Sequence, residues 1–342
     1  MNIVKGLSYS QVRLVPKHCS SLMHRAEADT SINAFGAFFD IPLLASPMPD
    51  VCDGNMINKM LNFSGGLKTS GMIHRFQSIK TQVEQFKIAK FGDINPNNII
   101  CAIGITGDYL ERTEALFEAG CRVFCMDTSN GFSIREHDAI RAFDIKVGDD
   151  AYLIAGNVAD EVGYEYLAEL NVDAVRVGVA GGSVCNTKQE SGVYFPMASA
   201  ISNCYSKKLE LQSANKNAPL IIADGGVKTP GDFSVAIALG ADFVLAGGVF
   251  SGTAETPGNI IKREETGELF KTYRGAASYG VQKDHNGDKP EYNEGAEILV
   301  TYKGSVEDVL RRFRNGLRSG MSYMDARTLS EFRQNSSFVE IS

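Results

Sequence analysis

Eight short, apolar, β-rich runs recur along the 342 residues, separated by stretches whose apolar side chains return every three or four positions, and few folds accept that rhythm. The runs are Ile41–Ser46, Gly66–Ser70, Ile99–Gly104, Arg122–Asp127, Tyr152–Gly156, Asp173–Gly178, Pro219–Asp224 and Asp242–Ala246. The helical stretches between them are Gly54–Asn62, Ile79–Ala89, Tyr109–Glu118, Ser133–Phe143, Ala159–Leu170, Pro196–Tyr205 and Pro230–Leu239. Several runs are apolar nearly throughout, as parallel strands buried on both faces must be. The pattern predicts an α/β fold, a single (β/α)8 barrel over residues 1–342, although an open doubly wound sheet would give similar local signals. Barrels of this length are ordinarily one domain. No internal repeat, low-complexity tract or interdomain linker interrupts the chain.

A barrel carries its chemistry where strands end and loops begin. Those ends deliver Met48 and Asp50, His74 and Arg75, Asp127, Asn157, the loop after the sixth strand, Asp224-Gly225-Gly226, and Gly247-Gly248. The sixth loop reads Val177-Gly178-Val179-Ala180-Gly181-Gly182-Ser183-Val184-Cys185-Asn186-Thr187-Lys188. Its glycines let backbone amides approach an anion, and the glycine pairs after the last two strands extend the same cradle. Cys185 then stands beside a bound phosphate ester, with the Thr187 hydroxyl in place to relay a proton. On the loop alone a buried structural cysteine reads equally well, and the glycine pairs alone read as turns. Asp224 repels an anion, so its expected role is to accept hydrogen bonds from ribose hydroxyls. Asp127-Thr128-Ser129-Asn130-Gly131 suits a second ligand or a helix cap. Arg75 suits a carboxylate or phosphate; His74 reads as a rim residue.

Other features narrow the partner. A net charge of -7 without basic clusters argues against nucleic acid. The seven cysteines are scattered without CxxC spacing, which fits a reducing cytoplasm and no disulfide framework or zinc site. The five histidines and the acids show no metal-ligand spacing. No run of about 18 apolar residues predicts a membrane span. A GxGxxG fingerprint in the required register is absent, so a dinucleotide would bind in another mode. Residues Lys271–Gly304 leave the strand–helix rhythm and are expected to form a mobile lid rather than a strand pair, with the flap at about 279–297. Glu294 returns from that flap as an acid or base, or is a solvated loop charge. Helical patterns resume at Val306–Arg318 and Tyr323–Arg333.

These residues carry a family likeness. Gly181-Gly182-Ser183-Val184-Cys185-Asn186-Thr187 with Gly192-Val193-Tyr194-Phe195-Pro196 resembles the cysteine loop of IMP dehydrogenases and GMP reductases. The resemblance continues through Ala155-Gly156-Asn157-Val158, Ile222-Ala223-Asp224-Gly225-Gly226, Gly247-Gly248, Tyr273-Arg274-Gly275 and Tyr302-Lys303-Gly304-Ser305-Val306, so it covers nearly the whole chain. IMP dehydrogenases usually carry an inserted regulatory module, for which the spacing from His74 to Ile99 leaves no room. Their flap also carries an Arg-Tyr pair that activates water, whereas no Arg lies between Gly280 and Glu294. Both absences resemble the GMP reductases, as do the tail Ser336-Ser337-Phe338-Val339-Glu340-Ile341 and His74-Arg75-Phe76-Gln77.

The resemblance implies a reductive deamination of GMP to IMP and ammonia with NADPH, through a covalent thioimidate on Cys185, with Thr187 and Glu294 expelling the ammonia. It implies that Met48, Ser183, Asp224, Gly225, Gly226, Gly247, Gly248 and Gly275 bind the nucleotide. Arg25, Arg75, Asp127, Thr128 and Ser129 would face the dinucleotide, and carbonyls of Gly182, Cys185 and Lys188 would hold potassium. It further implies a homotetramer. The chain departs from the family in four places: Met48-Pro49-Asp50 for Met-Asp-Thr, Ala180 for a glycine, Ala276-Ala277 for Met-Ser, and no basic residue just before Glu294. The alternatives are an IMP dehydrogenase, making XMP with NAD, and a non-catalytic barrel that binds purine nucleotides.

Overall fold

A computed structural model describes residues 4–63, 65–286 and 294–341. Eight parallel strands form the expected barrel: β1 (Leu43–Ala45), β2 (Met72–Ile73), β3 (Ile100–Ile103), β4 (Val123–Met126), β5 (Tyr152–Val158), β6 (Ala174–Val177), β7 (Leu220–Asp224) and β8 (Phe243–Ala246). From β2 onward each pairs with the next, and β8 pairs with β1. Between β1 and β2 the ring closes through a single parallel bridge, Ala45 to Gly71, with Ala45 N donating to Ser70 O at 3.1 Å. The second strand therefore lies after the expected Gly66–Ser70. That run holds Gly66 in left-handed backbone and reaches β1 only through irregular bonds such as Thr69 Oγ1 to Leu43 O.

Helices α1 (Gly54–Leu61), α2 (Ile79–Ala89), α3 (Tyr109–Glu118), α4 (Ile134–Lys146), α5 (Glu161–Ala168), α6 (Met197–Ser213) and α7 (Pro230–Ala238) follow the first seven strands. Side chains divide by the period of two. Leu44, Met72, Ile100, Val123, Cys125, Ile154, Ala174, Ile222, Phe243 and Leu245 fill the barrel interior, while their neighbours Leu43, Ala45, Cys101, Phe124, Val175 and Val244 pack under the helices. A hairpin, Ile32–Ala34 with Ala37–Phe39, plugs the bottom: Phe39 meets Phe243 edge-on at 5.2 Å and Phe35 meets Tyr152 at 5.8 Å.

The chain beyond β8 corrects one expectation. A sheet of β9 (Ile261–Lys262), β10 (Leu269–Arg274) and β11 (Glu297–Thr301) forms the root of the flap, so a strand pair lies where a lid alone was expected. β10 and β11 are far apart in sequence, and no local turn signal announces their pairing. Lys271 anchors the root: its buried ammonium donates to the carbonyls of Thr253 (3.2 Å), Ala254 (3.5 Å) and Thr256. The flap itself opens with a helix, Tyr279–Asn286; residues 287–293 of the expected flap lie outside the described residues. α8 (Val306–Tyr323) packs on α7, and α9 (Leu329–Asn335) follows, so the helix break falls later than the sequence suggests.

Candidate active site

The Cys185 loop leaves β6 at the barrel mouth and is held by the flap root. Asn186 N donates to Glu294 O (2.7 Å) and Ala296 N to Val184 O (2.9 Å), a short antiparallel contact that lays 294–296 along 184–186. Glu294 is thereby brought to the cysteine: Cys185 Sγ lies 3.3 Å from Thr187 Oγ1, which donates to Glu294 Oε2 at 2.5 Å. This is a continuous path from thiol to carboxylate. Cys185 is half-buried, whereas Cys52, Cys101, Cys121, Cys125 and Cys204 are buried. The structural-cysteine alternative fits those five and not Cys185.

Three loops converge beside it. A Cβ at Gly248 would lie 3.1 Å from Ser183 Oγ, and one at Gly247 would lie 2.5 Å from Tyr273 Oη and 2.9 Å from Met48 Sδ, so only glycine leaves this hollow open. Gly225, at φ 97°, rests on the backbone of Gly181 and Gly182, which joins the β7 loop to the cysteine loop. The Ser183 and Tyr273 hydroxyls beside the half-buried Gly247-Gly248 backbone have the chemistry of a phosphate cradle. Burial pushes the Tyr273 phenol up to about 12 despite the Ser183 hydroxyl, so it keeps its proton to donate. Tyr273 was visible only as part of a motif; its place on the buried face of β10, two residues after Lys271, brings it in. The N–H of Gly275, expected at the nucleotide, ties to Ala296 O (2.9 Å) and supports the flap root.

Arg176 is the residue that strand counting overlooked. On β6 it has the inward parity of Ala174, at the top of the barrel interior, where Asp127 and Asp224 also turn inward. Its guanidinium bridges them, to Asp127 Oδ1 at 2.8 Å and to Asp224 Oδ2 at 2.7 Å, and is 6% exposed. The signal was a lone charge inside an apolar strand. Asn157 Nδ2 also donates to Asp224 Oδ2 (2.7 Å), so among the described residues every bond falls on that oxygen and Oδ1 remains for a ligand hydroxyl. Burial alone would raise the Asp127 carboxyl, but Arg176 and then Arg75 outweigh it and hold the group below the usual carboxylate range. Arg75 Nε lies 3.4 Å from Asp127 and its guanidinium stacks on Phe76. Thr128 is half-buried and Ser129 exposed at the same rim, and the loop is tied down by Asn157 N to Thr128 O (3.0 Å) and Gly131 N to Asn157 O (2.7 Å).

Arg25 is exposed on a turn packed against α8 in the outer layer, away from the mouth of its own chain. Asp50, from the departing Met48-Pro49-Asp50, is taken by a two-point pair with Arg274 (2.8 and 2.8 Å), and Arg274 also reaches Asp284 of the flap helix (2.8 Å). The implied potassium site consists of neutral carbonyls, the donors a hard singly charged cation takes. The Gly182 and Lys188 carbonyls each already accept one backbone N–H, from Cys185 and Gly192, and each keeps a second lone pair. Among the described residues no group of three or more His, Cys, Asp or Glu could hold a metal, and no helix is long and apolar enough to cross a membrane.

Ala180, where the resemblance leads one to expect glycine, has φ 57°, left-handed backbone that a Cβ makes costly by about 1 kcal/mol. Ala180→Gly is expected to stabilise the protein by about 0.5 kcal/mol, the relief being partly offset by the glycine's freer unfolded chain. Denaturant melts of the two proteins check it; a destabilised variant would mean the conformation is not strained.

The fold and site together are those of a parallel eight-stranded (β/α)8 barrel with a half-buried cysteine at its mouth, linked through a threonine hydroxyl to a carboxylate. Residues 6–342 match the model of the IMP dehydrogenase / GMP reductase domain, and the chain belongs to that family, oxidoreductases that pair a purine nucleotide with a nicotinamide dinucleotide. Curated relatives include inosine-5'-monophosphate dehydrogenases of Cryptosporidium parvum, 31% identical over 99% of this chain and 93% of that protein, and of Nitrosopumilus maritimus, 38% identical over 70% of this chain and 51% of that protein. That of Streptococcus pyogenes is 38% identical over 71% of this chain and 50% of its own length. The chain thus spans about half the length of two of these relatives and nearly all of the third.

Proposed function

We propose that the protein reduces GMP to IMP and ammonia with NADPH as one barrel domain with a flap, and that it works as a homotetramer. The observation that carries the reading is the line Cys185–Thr187–Glu294, 3.3 Å and then 2.5 Å long. The thiol proton passes through Thr187 to Glu294 as sulfur adds to the purine C2, and the same proton returns through Thr187 to the departing 2-amino group, which leaves as ammonia. The product of these steps is a thioimidate between Cys185 and C2. The dinucleotide, when bound, would supply the hydride that C2 receives; the C2–S bond then breaks to release IMP, and the Cys185 thiolate takes a proton from solvent. Ser183, Tyr273 and the Gly247-Gly248 backbone would hold the phosphate, Asp224 Oδ1 the ribose, and Arg75 with the Asp127–Ser129 loop the dinucleotide. The carbonyls of Gly182, Cys185 and Lys188 would hold potassium and brace the loop.

The second reading is IMP dehydrogenase, and the names of the relatives favour it. It needs a base to activate water, a task for which the stretch from Gly280 to Glu294 offers no Arg. Following nicotinamide absorbance decides the direction. GMP with NADPH is expected to lose signal and release ammonia, while IMP with NAD stays silent; the reverse pattern would establish the dehydrogenase.

A further inference from the structure

Glu136 lies in the first turn of α4, and its carboxyl is fully buried beneath the rim between β4 and β5. It does not cap the helix: Ser133 does that, accepting the N–H of Glu136 at 3.2 Å. Instead Oε1 accepts the N–H of Gly156 at 3.2 Å, and Oε2 has no hydrogen-bond partner among the described residues. At this point the pairing of β5 with β6 shifts register between Gly156 and Val158. The next residue, Asn157, is the junction of the site. Its backbone holds Thr128 and Gly131, and its amide nitrogen donates to Asp224 Oδ2 (2.7 Å) and to Gly178 O (2.8 Å), where the cysteine loop begins.

We propose that Glu136 is a positioning residue for nucleotide binding: through Gly156 it seats Asn157, and through Asn157 it sets Asp224 and the Asp127–Gly131 loop for their ligands. The inference rests on the purine-nucleotide reading above. Its chemistry makes a pH signature. Burial pushes the carboxyl up to about 8, against the Gly156 N–H and Arg176, with Asp127 adding to the rise. The groups facing it are Arg176 from β6, Asp127 after β4, and Tyr166 of α5, whose phenol donates to Ser133 O at 3.2 Å. At neutral pH the acid keeps its proton. Above about pH 8 it becomes a buried anion that competes with Asp127 and Asp224 for the Arg176 guanidinium, and the ribose acceptor is released from its seat.

Calorimetric titration of GMP and IMP between about pH 6.5 and 9.5 tests this on the wild type, Glu136→Gln and Glu136→Met. The wild type is expected to lose about tenfold in affinity across the alkaline limb. Glu136→Gln keeps an acceptor for Gly156 without a titrating proton and should hold its neutral-pH affinity throughout. Glu136→Met leaves that N–H unpaired and should bind weakly at every pH. An alkaline loss in Glu136→Gln equal to that of the wild type overturns the proposal, as does full affinity in a folded Glu136→Met. If neither nucleotide binds the wild type at any pH, the purine reading is what fails. Hydrogen exchange at the Gly156 and Asn157 amides then decides the role of Glu136: alkaline loss of protection in the wild type alone supports it, and identical behaviour in wild type and Glu136→Gln overturns it.

Discussion

Cys185→Ala is expected to lower turnover by at least about 10⁴-fold, some 5.5 kcal/mol of barrel-mouth catalysis, while GMP or IMP affinity changes only a few-fold. The reason for the split is spatial. In the proposed reading the phosphate and ribose contacts would come from Ser183, Tyr273, Asp224 and glycine backbone, and none of them needs the sulfur. The proposed bond to C2 cannot form without it. Thiol accessibility gives an independent check. Five of the seven cysteines are buried, so an alkylating reagent should modify only exposed Cys19 and half-buried Cys185 in the native protein, and saturating nucleotide should shield Cys185. Residual turnover within tenfold of wild type, or labelling of Cys185 indifferent to nucleotide, would remove sulfur from the mechanism.

Arg176→Met should cost about 3–5 kcal/mol of stability at neutral pH and most nucleotide affinity, because it strands the carboxylates of Asp127 and Asp224 at the top of the barrel interior. The sign with pH follows from Asp127. In the wild type its folded value is depressed, so its stabilisation is present above the ordinary value near 4 and is lost as pH falls through the lower folded value. Without Arg176, burial dominates and the folded value rises, so the remaining contribution is lost as pH increases. The stability gap between the two proteins should therefore be small in acid and widen toward pH 7, as measured by urea melts at several pH values. A gap independent of pH would mean that the guanidinium packs without compensating charge.

Local signals made some of this visible before any coordinates. The period-2 and period-3.6 runs located seven of the eight barrel strands to within a few residues, because each buries both faces and must be apolar whatever its neighbours. Gly66–Ser70 misled because closure between β1 and β2 rests on one bridge, and an extended segment paired irregularly looks like a strand in composition. β10 and β11 escaped because strands that pair across a long excursion need no turn residues between them. The cysteine loop with its two glycine-bearing neighbours was legible from residue types alone. Arg176 and Tyr273 were not, since each acquires its role only from the direction in which a strand turns it.

The order of its residues by itself determined a run of buried parallel strands alternating with helices, with a glycine-rich cysteine loop at one strand end, because burial and periodicity are properties of short stretches. Only the tertiary structure decided that Glu294, 107 residues after Thr187, would meet it, and that Arg176 would stand between two acids. Those contacts depend on strand tilt, on closure of the ring and on the flap root lying antiparallel to the cysteine loop, and no local preference encodes any of the three.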